Sequence, residues 1–596
     1  MDAKKFNLGD LLRKIKSGEV QLPDFQRSWI WSDEQIKSLL ESVIRGFPIN
    51  SILLLECNPA DMKFSCRTIS GVESVTEKPQ QLILDGQQRL TSLFGALFSD
   101  KPVKFQKGKD KFYYVDMAKA IDSVKNFETK DDIIISVNDN KKLKAKGTNW
   151  DLSTDEKEFA AGMFPLNKIF DGTLFNWILS YTNHYANDAD KQTLATEFNA
   201  LVQKIARYEI VEVILERNTP LESVCKIFEN VNRGGERLGV FDLLTAIFAM
   251  HVDENGNPIE LGKDWDKVRD VFKDSDLNIL EAVDKSDFIT AVTLLVSYRN
   301  RSAKKPVSCK GEDILKLAHT DYLEYRNAVA EGFVEAAKFL AEDDNKITTK
   351  KYLPYAPQLI PMAVIFAELK LSGKANAASR KKIRQWYWCG VFGESYKDGH
   401  LARFAKDIVQ VMKWIDKREF PEILRKTQIG ALRLMSVKKL QSAAYKGMFA
   451  IIFQHGARDF LAGRNMGSSA NFAESIDGHH IFPKKYCDAK KIPKERYDNI
   501  ANKTPLLSKT NNIVGAKAPS VYLTDIKQKT GLSEADVDDF LESHFADAEL
   551  CRADRFDEFI VDRAKKILDA VEKITDREIV GRDSPEIIKI FGTSLA

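Results

Sequence analysis

The stretch Asp477-Gly478-His479-His480-Ile481-Phe482-Pro483, followed by Asn502 and Asn511, holds the side chains best suited to chemistry. The chain has eight histidines, and only here do two stand together. Imidazole takes a proton near neutral pH and is a common metal ligand. Adjacent residues on an extended strand face opposite ways. One imidazole can therefore hold a divalent ion while its neighbour deprotonates a water. Ile481-Phe482 would anchor the segment, and Pro483 ends ladder pairing. A plain strand pair with asparagines capping turns needs no chemistry. The proline, and two asparagines nine residues apart, weigh against that bland account.

A second candidate lies near the N-terminus. Gln81–Leu84 reads as a strand that breaks at Asp85-Gly86-Gln87-Gln88-Arg89 and passes into a helix through Leu90, Leu93 and Leu97. A strand, a glycine turn and a helix start present backbone N–H groups to an anion. Gly86 allows close approach, and Arg89 can fork onto phosphate oxygens. Gln87 and Gln88 can hydrogen-bond a base, sugar or phosphate, and Asp85 is placed to hold Mg²⁺ or a water. From these residues alone, Asp85 capping the helix and Arg89 in a surface ion pair is an equal account.

The elements that must position these groups follow from pattern. Leu22–Trp31 is a loop. Ser32 with Gln35 makes a capping box for a helix through Ile36, Leu39, Leu40, Val43 and Ile44, which Gly46 and Pro48 stop. Ser51–Glu56 reads as a buried strand. From about 262 to 460 the spacing predicts helix after helix. Within it, Lys381–Trp388 mixes cations with aromatics as a base-stacking surface would, although such rings more often fill a core. Around the histidine pair we expect a strand over 477–482, a second over 504–508 and a helix near Asn511, with two amphipathic helices behind. Lys484, Lys485, Lys490, Lys491, Lys494, Lys503, Lys509 and Lys517 form a cluster suited to sequence-independent DNA contacts.

The totals bound the reading. At about 150 residues per domain, 596 residues point to three or four domains. A composition 44% hydrophobic and 29% charged is that of a soluble globular protein. The net charge is only +3, so any nucleic-acid affinity must come from local patches. Seven scattered cysteines without a Cys-x-x-Cys pair argue for reduced thiols in a cytoplasmic protein. No signal peptide and no membrane span are read.

The histidine–asparagine arrangement resembles the HNH (ββα-metal, His-Me finger) nucleases. The resemblance implies His480 as general base, His479 and Asn511 as ligands of one Mg²⁺ or Mn²⁺ ion, and Asn502 as the catalytic-site residue that orients the base's loop. Two departures stand out: His479 occupies a position where Asp or Glu is more frequent, and Asn512 beside Asn511 leaves the second ligand ambiguous. Leu22-Pro23-x-Phe25-Gln26-Arg27, the helix ending at Gly46-x-Pro48, and Asp85–Leu93 together resemble the ParB/sulfiredoxin-like NTPase domain of GmrSD-type modification-dependent restriction enzymes. So does the block Phe228 to Gly235. This second resemblance covers roughly residues 8–250. It implies an NTP site, for GTP or ATP, at Gln26, Arg27, Asp85, Gly86, Gln87, Gln88 and Arg89, with Asn232 and Arg233 near the phosphates and Asp85 active in hydrolysis.

The expected fold is α+β and multidomain. It has a ParB-like α/β domain over 1–255, a helical connecting region over 256–440, and an HNH finger embedded in a helical domain over 441–596. The expected function is an NTP-dependent type IV restriction endonuclease acting on modified phage DNA, with a homo-oligomer left open. Two other readings stay in play: a nucleotide-regulated nucleic-acid sensor with a weak or inactive finger, and an RNase or toxin using the same finger.

Overall fold

The computed structural model describes residues 2–24, 26, 29–58, 62, 65–73, 75, 78–105, 108–126, 132–145, 148–220, 223–224, 227, 239–302, 305–397, 400–438, 441–467 and 476–596. The expected site residues Arg27, Asn232 and Arg233 lie outside them. The chain is α+β and forms two compact units, Met1–Leu261 and Gly262–Ala596.

The first unit is built on a mixed sheet. Its strands are β1 (Asp2–Asn7), β2 (Val20–Pro23), β3 (Ile52–Glu56), β4 (Cys66–Arg67), β5 (Gln81–Asp85) and β6 (Glu209–Leu215), in the order β1-β6-β3-β5-β2-β4. The pairs β6/β3 and β2/β5 are parallel and the others antiparallel. Ile52–Leu55 and Leu82–Leu84 are unbroken apolar runs, buried throughout, as expected of strands covered on both faces. The helix α1 (Asp33–Ile44) has the Ser32/Gln35 capping box, and it buries the five apolar residues that its spacing puts on one stripe. A second helix, α2 (Gln87–Leu97), leaves β5 through Gly86.

The second unit is mostly helical. Helices α3 (Lys285–Arg299), α4 (His319–Ala341), α5 (Leu359–Leu371) and α6 (His400–Ile415) pack together around α5, which is buried on all sides from Leu359 to Leu369. A chain of helices forms here because α5 is apolar all round and must be enclosed. Between α5 and α6, α7 (Ala377–Phe392) packs on α8 (Ala443–Gln454) and α9 (Phe556–Thr575). Trp386, Tyr387 and Trp388 are fully buried in α7, so the idea of a base-stacking surface there is corrected. Trp386 instead packs edge-on against Tyr396, and Trp388 stacks on Phe392 and donates its Nε1 to Asn345 Oδ1 at 3.0 Å. The connecting stretch and the histidine-bearing segment thus share one unit.

Candidate functional site

The histidine pair ends a strand, β7 (Ile476–His480), paired antiparallel with β8 (Lys503–Leu507). His479 lies opposite Thr504 and His480 opposite Lys503. A short helix, α10 (Ser508–Val514), follows directly and packs on both strands. The strand crosses α8 at Gly478, where a Cβ would sit 2.2 Å from the Tyr445 hydroxyl and 3.2 Å from the Phe449 ring. Only glycine allows that approach.

Asn502 is fully buried and spends its amide on backbone. Its Nδ2 donates to Phe482 O at 2.9 Å and Tyr497 O at 3.0 Å, and its Oδ1 accepts from Phe482 N at 2.9 Å. It therefore staples the start and end of the 481–502 excursion and positions His480, without reaching toward a substrate. Sequence reasoning missed its support, Arg563. This fully buried guanidinium donates to Ala501 O at 2.6 Å and His544 O at 2.9 Å, and burial pushes its pKa down to about 9.

His480 Nε2 is 3.2 Å from Asp498 Oδ1, and Lys503 Nζ is 3.0 Å from the same oxygen. Burial pushes the imidazole's pKa down to about 4, and repulsion from Lys503 and Lys484 outweighs the pull of Asp498. The ring is neutral at pH 7, as a proton acceptor must be. Burial also pushes the Asp498 carboxyl up, but Lys503, His480 and Lys484 together bring it below its ordinary value. Lys503, expected to meet DNA, is instead buried in this pair. The other seven lysines of the cluster are exposed.

His479 is half-buried on the other face of the strand. In α10, Asn511 is half-buried whereas Asn512 is exposed. The helix is anchored by Asp459, which is fully buried. Its Oδ2 accepts from Leu507 N at 3.0 Å, and its Oδ1 accepts from Thr510 Oγ1 at 2.6 Å and from Leu461 N and Ala462 N at 3.0 Å. No sequence signal marks Asp459 as the anchor of α10, because Leu507 and Thr510, the partners that tie it to that helix, lie some fifty residues away. Among the described residues, no three His, Cys, Asp or Glu side chains gather as a metal cluster.

In the first unit, the two N-terminal motifs meet. Gln26 Nε2 donates to Ile83 O at 3.2 Å and Leu84 O at 2.8 Å, Gln88 Oε1 accepts from Ile30 N at 2.9 Å, and Trp29 Nε1 donates to Ser92 Oγ at 3.1 Å. Gln26, Gln87 and Gln88 are buried. Arg89 donates to Ile49 O at 2.5 Å, Ser51 O at 3.0 Å and Asp85 Oδ2 at 3.0 Å. These side chains build the turn from within: Gly86, Gln87 and Gln88 are buried, and Asp85 and Arg89 are partly exposed beside them. Gly86 has φ +98°, and a Cβ there would lie 2.3 Å from Ile52 Cδ1. We expect Gly86→Ala to destabilise the first unit by about 2–4 kcal/mol through backbone strain and overpacking. A midpoint within about 1 °C of wild type in calorimetry would contradict this.

Residues 8–249 match the family model of the GmrSD restriction endonuclease N-terminal domain. An uncharacterized protein of Methanocaldococcus jannaschii is 30% identical over 573 residues, covering 91% of this chain and 92% of that protein. The chain belongs to that protein's family. The stretch that matches the GmrSD N-terminal domain takes up nearly all of the first unit, and the likeness to the archaeal relative continues far into the second. No helix among the described residues is long and apolar enough to cross a membrane.

Proposed function

We propose that this chain is an NTP-dependent DNA endonuclease of the modification-dependent restriction class. The observation that carries this reading is the hairpin-then-helix frame, in which Asn502 fastens the loop behind a neutral, nearly enclosed His480. The GmrSD-type domain on the same chain supports it.

His480 takes the proton of a water that attacks the scissile phosphorus. Exposed Lys484, Lys485, Lys490, Lys491 and Lys494 border the site and hold backbone phosphates through counterion release. His479 and Asn511 would hold one Mg²⁺ or Mn²⁺. An imidazole and a carboxamide are neutral donors that leave most positions of a hard cation to phosphate and water oxygens, and this donor set fits an ion bound together with DNA. When bound, the ion supplies charge stabilisation to the phosphate and the leaving oxygen. The half-burial of Asn511 against exposed Asn512 favours the former as ligand. In the first unit, the start of α2 at Gly86 offers backbone N–H groups to the phosphates of GTP or ATP. Nucleotide binding would bias the chain toward its cutting state.

The test incubates purified protein with modified and unmodified phage DNA, in Mg²⁺ or Mn²⁺, with and without GTP or ATP. We expect cutting of modified DNA that needs both the metal and a nucleotide. DNA binding without nicking under every combination would instead favour a nucleotide-regulated sensor.

A further inference from the structure

We propose that Asp498 is a positioning residue that fixes His480 as its Nε2–H tautomer, leaving Nδ1 as the atom that accepts the proton from water. This inference rests on the nuclease reading above for its consequence, but not for its geometry.

The geometry begins with the register. His480 and Lys503 are direct cross-strand partners and so project from the same face of the hairpin. Asp498 comes between them from the end of the short helix Lys494–Tyr497, with one carboxylate oxygen 3.2 Å from His480 Nε2 and 3.0 Å from Lys503 Nζ. All three side chains are nearly enclosed: 12% of the histidine, 12% of the aspartate and 8% of the lysine side chain remain exposed. The aspartate cannot swing away easily. Its backbone N–H donates to Lys494 O at 2.9 Å, and the carbonyl of Tyr497 just before it is held by Asn502. Lys503 is held in turn by Lys438 O at 3.4 Å.

A carboxylate paired with an ammonium group has no proton to give, so in this contact it can only accept. Nε2 must therefore be the donor, and a neutral imidazole with Nε2–H carries its lone pair on Nδ1. In the reaction, the water's proton moves to Nδ1 as its oxygen forms the new bond to phosphorus. The P–O bond to the leaving oxygen breaks, and that oxygen takes a proton from solvent. His480 becomes an imidazolium whose Nε2–H still points at Asp498, and the aspartate remains ionised throughout.

The test has two arms on the full chain. In the first, protein labelled with ¹⁵N-histidine is examined by NMR, with the His480 signals identified among the eight histidines by their loss in His480→Gln. We expect the Nε2–H form in wild type. In Asp498→Asn the amide can turn its NH₂ toward the ring, so the Nδ1–H form should appear. In the second arm, Asp498→Asn, assayed well below its melting range, should lower kcat for DNA cleavage on the order of 10²–10⁴-fold, with the KM for DNA essentially unchanged and the thermal midpoint lowered, because the buried Lys503 loses its carboxylate partner. Asp498→Glu should recover part of the rate. A wild-type Nδ1–H tautomer overturns the proposal, as does Asp498→Asn cutting within about threefold of wild type. If the wild-type chain cuts no DNA, the nuclease reading fails, and the NMR arm still decides the tautomer.

Discussion

His480→Ala should abolish DNA cleavage, with a loss on the order of 10³-fold or more, while DNA affinity stays close to wild type. The rate falls because no other imidazole on that strand face can take the water's proton. His479 points to the opposite face, and the nearest carboxylate, Asp498, is bound to Lys503 and held below its ordinary pKa. Affinity persists because the exposed lysines of the 484–494 segment contact phosphates independently of the base. The fold should survive, since Asp498 keeps its bond to Lys503 when the ring is removed and no buried charge is orphaned. Gel assays on phage DNA, alongside equilibrium binding, separate the two quantities. If His480→Ala cuts as wild type does, the catalytic assignment is wrong.

The second large effect is on stability. Asp459→Ala removes a fully buried carboxylate that accepts four hydrogen bonds, from Leu461, Ala462, Leu507 and Thr510. Three backbone N–H groups and a hydroxyl would be left without acceptors in the interior. Each orphaned donor costs about 1–3 kcal/mol, partly relieved by relaxation, so a net loss of about 3–5 kcal/mol is expected. The thermal midpoint of the second unit should fall by roughly 10 °C while that of the first does not move. Asp459→Asn retains an acceptor and should lose less. Cleavage should weaken as well, because Thr510 and Leu507 set where α10 presents Asn511. An unchanged midpoint would show that the anchor is dispensable.

What the sequence disclosed and what it hid divide by range. The α+β class, the capping box at Ser32, the strand at Ile52–Glu56 and the hairpin-then-helix around His479, His480 and Asn511 rest on local pattern, and each of these elements lies within a few residues of expectation. Asp498, Asp459 and Arg563 were not legible, because each acts through partners that only tertiary folding brings near. Residue type alone does not tell where a side chain turns. Gln26, Gln88 and Lys503 are polar groups suited to a ligand, and in this structure each is buried and bonds backbone carbonyls, a backbone N–H or a carboxylate. The aromatic run in α7 read two ways, and the core reading prevailed because three consecutive rings are enclosed by neighbouring helices.

The glycine at 478 carries a consequence for engineering. With the Tyr445 hydroxyl lodged where any side chain would begin, the histidine strand has no skin of its own on that side and borrows one from a helix some thirty residues upstream. Transplanting residues 476–514 into a foreign scaffold would leave that flank bare. A transplant that keeps the hairpin and its helix intact has to begin no later than Ala443, carry the Asp459 turn with it, and extend through Thr575 so that Arg563 comes along.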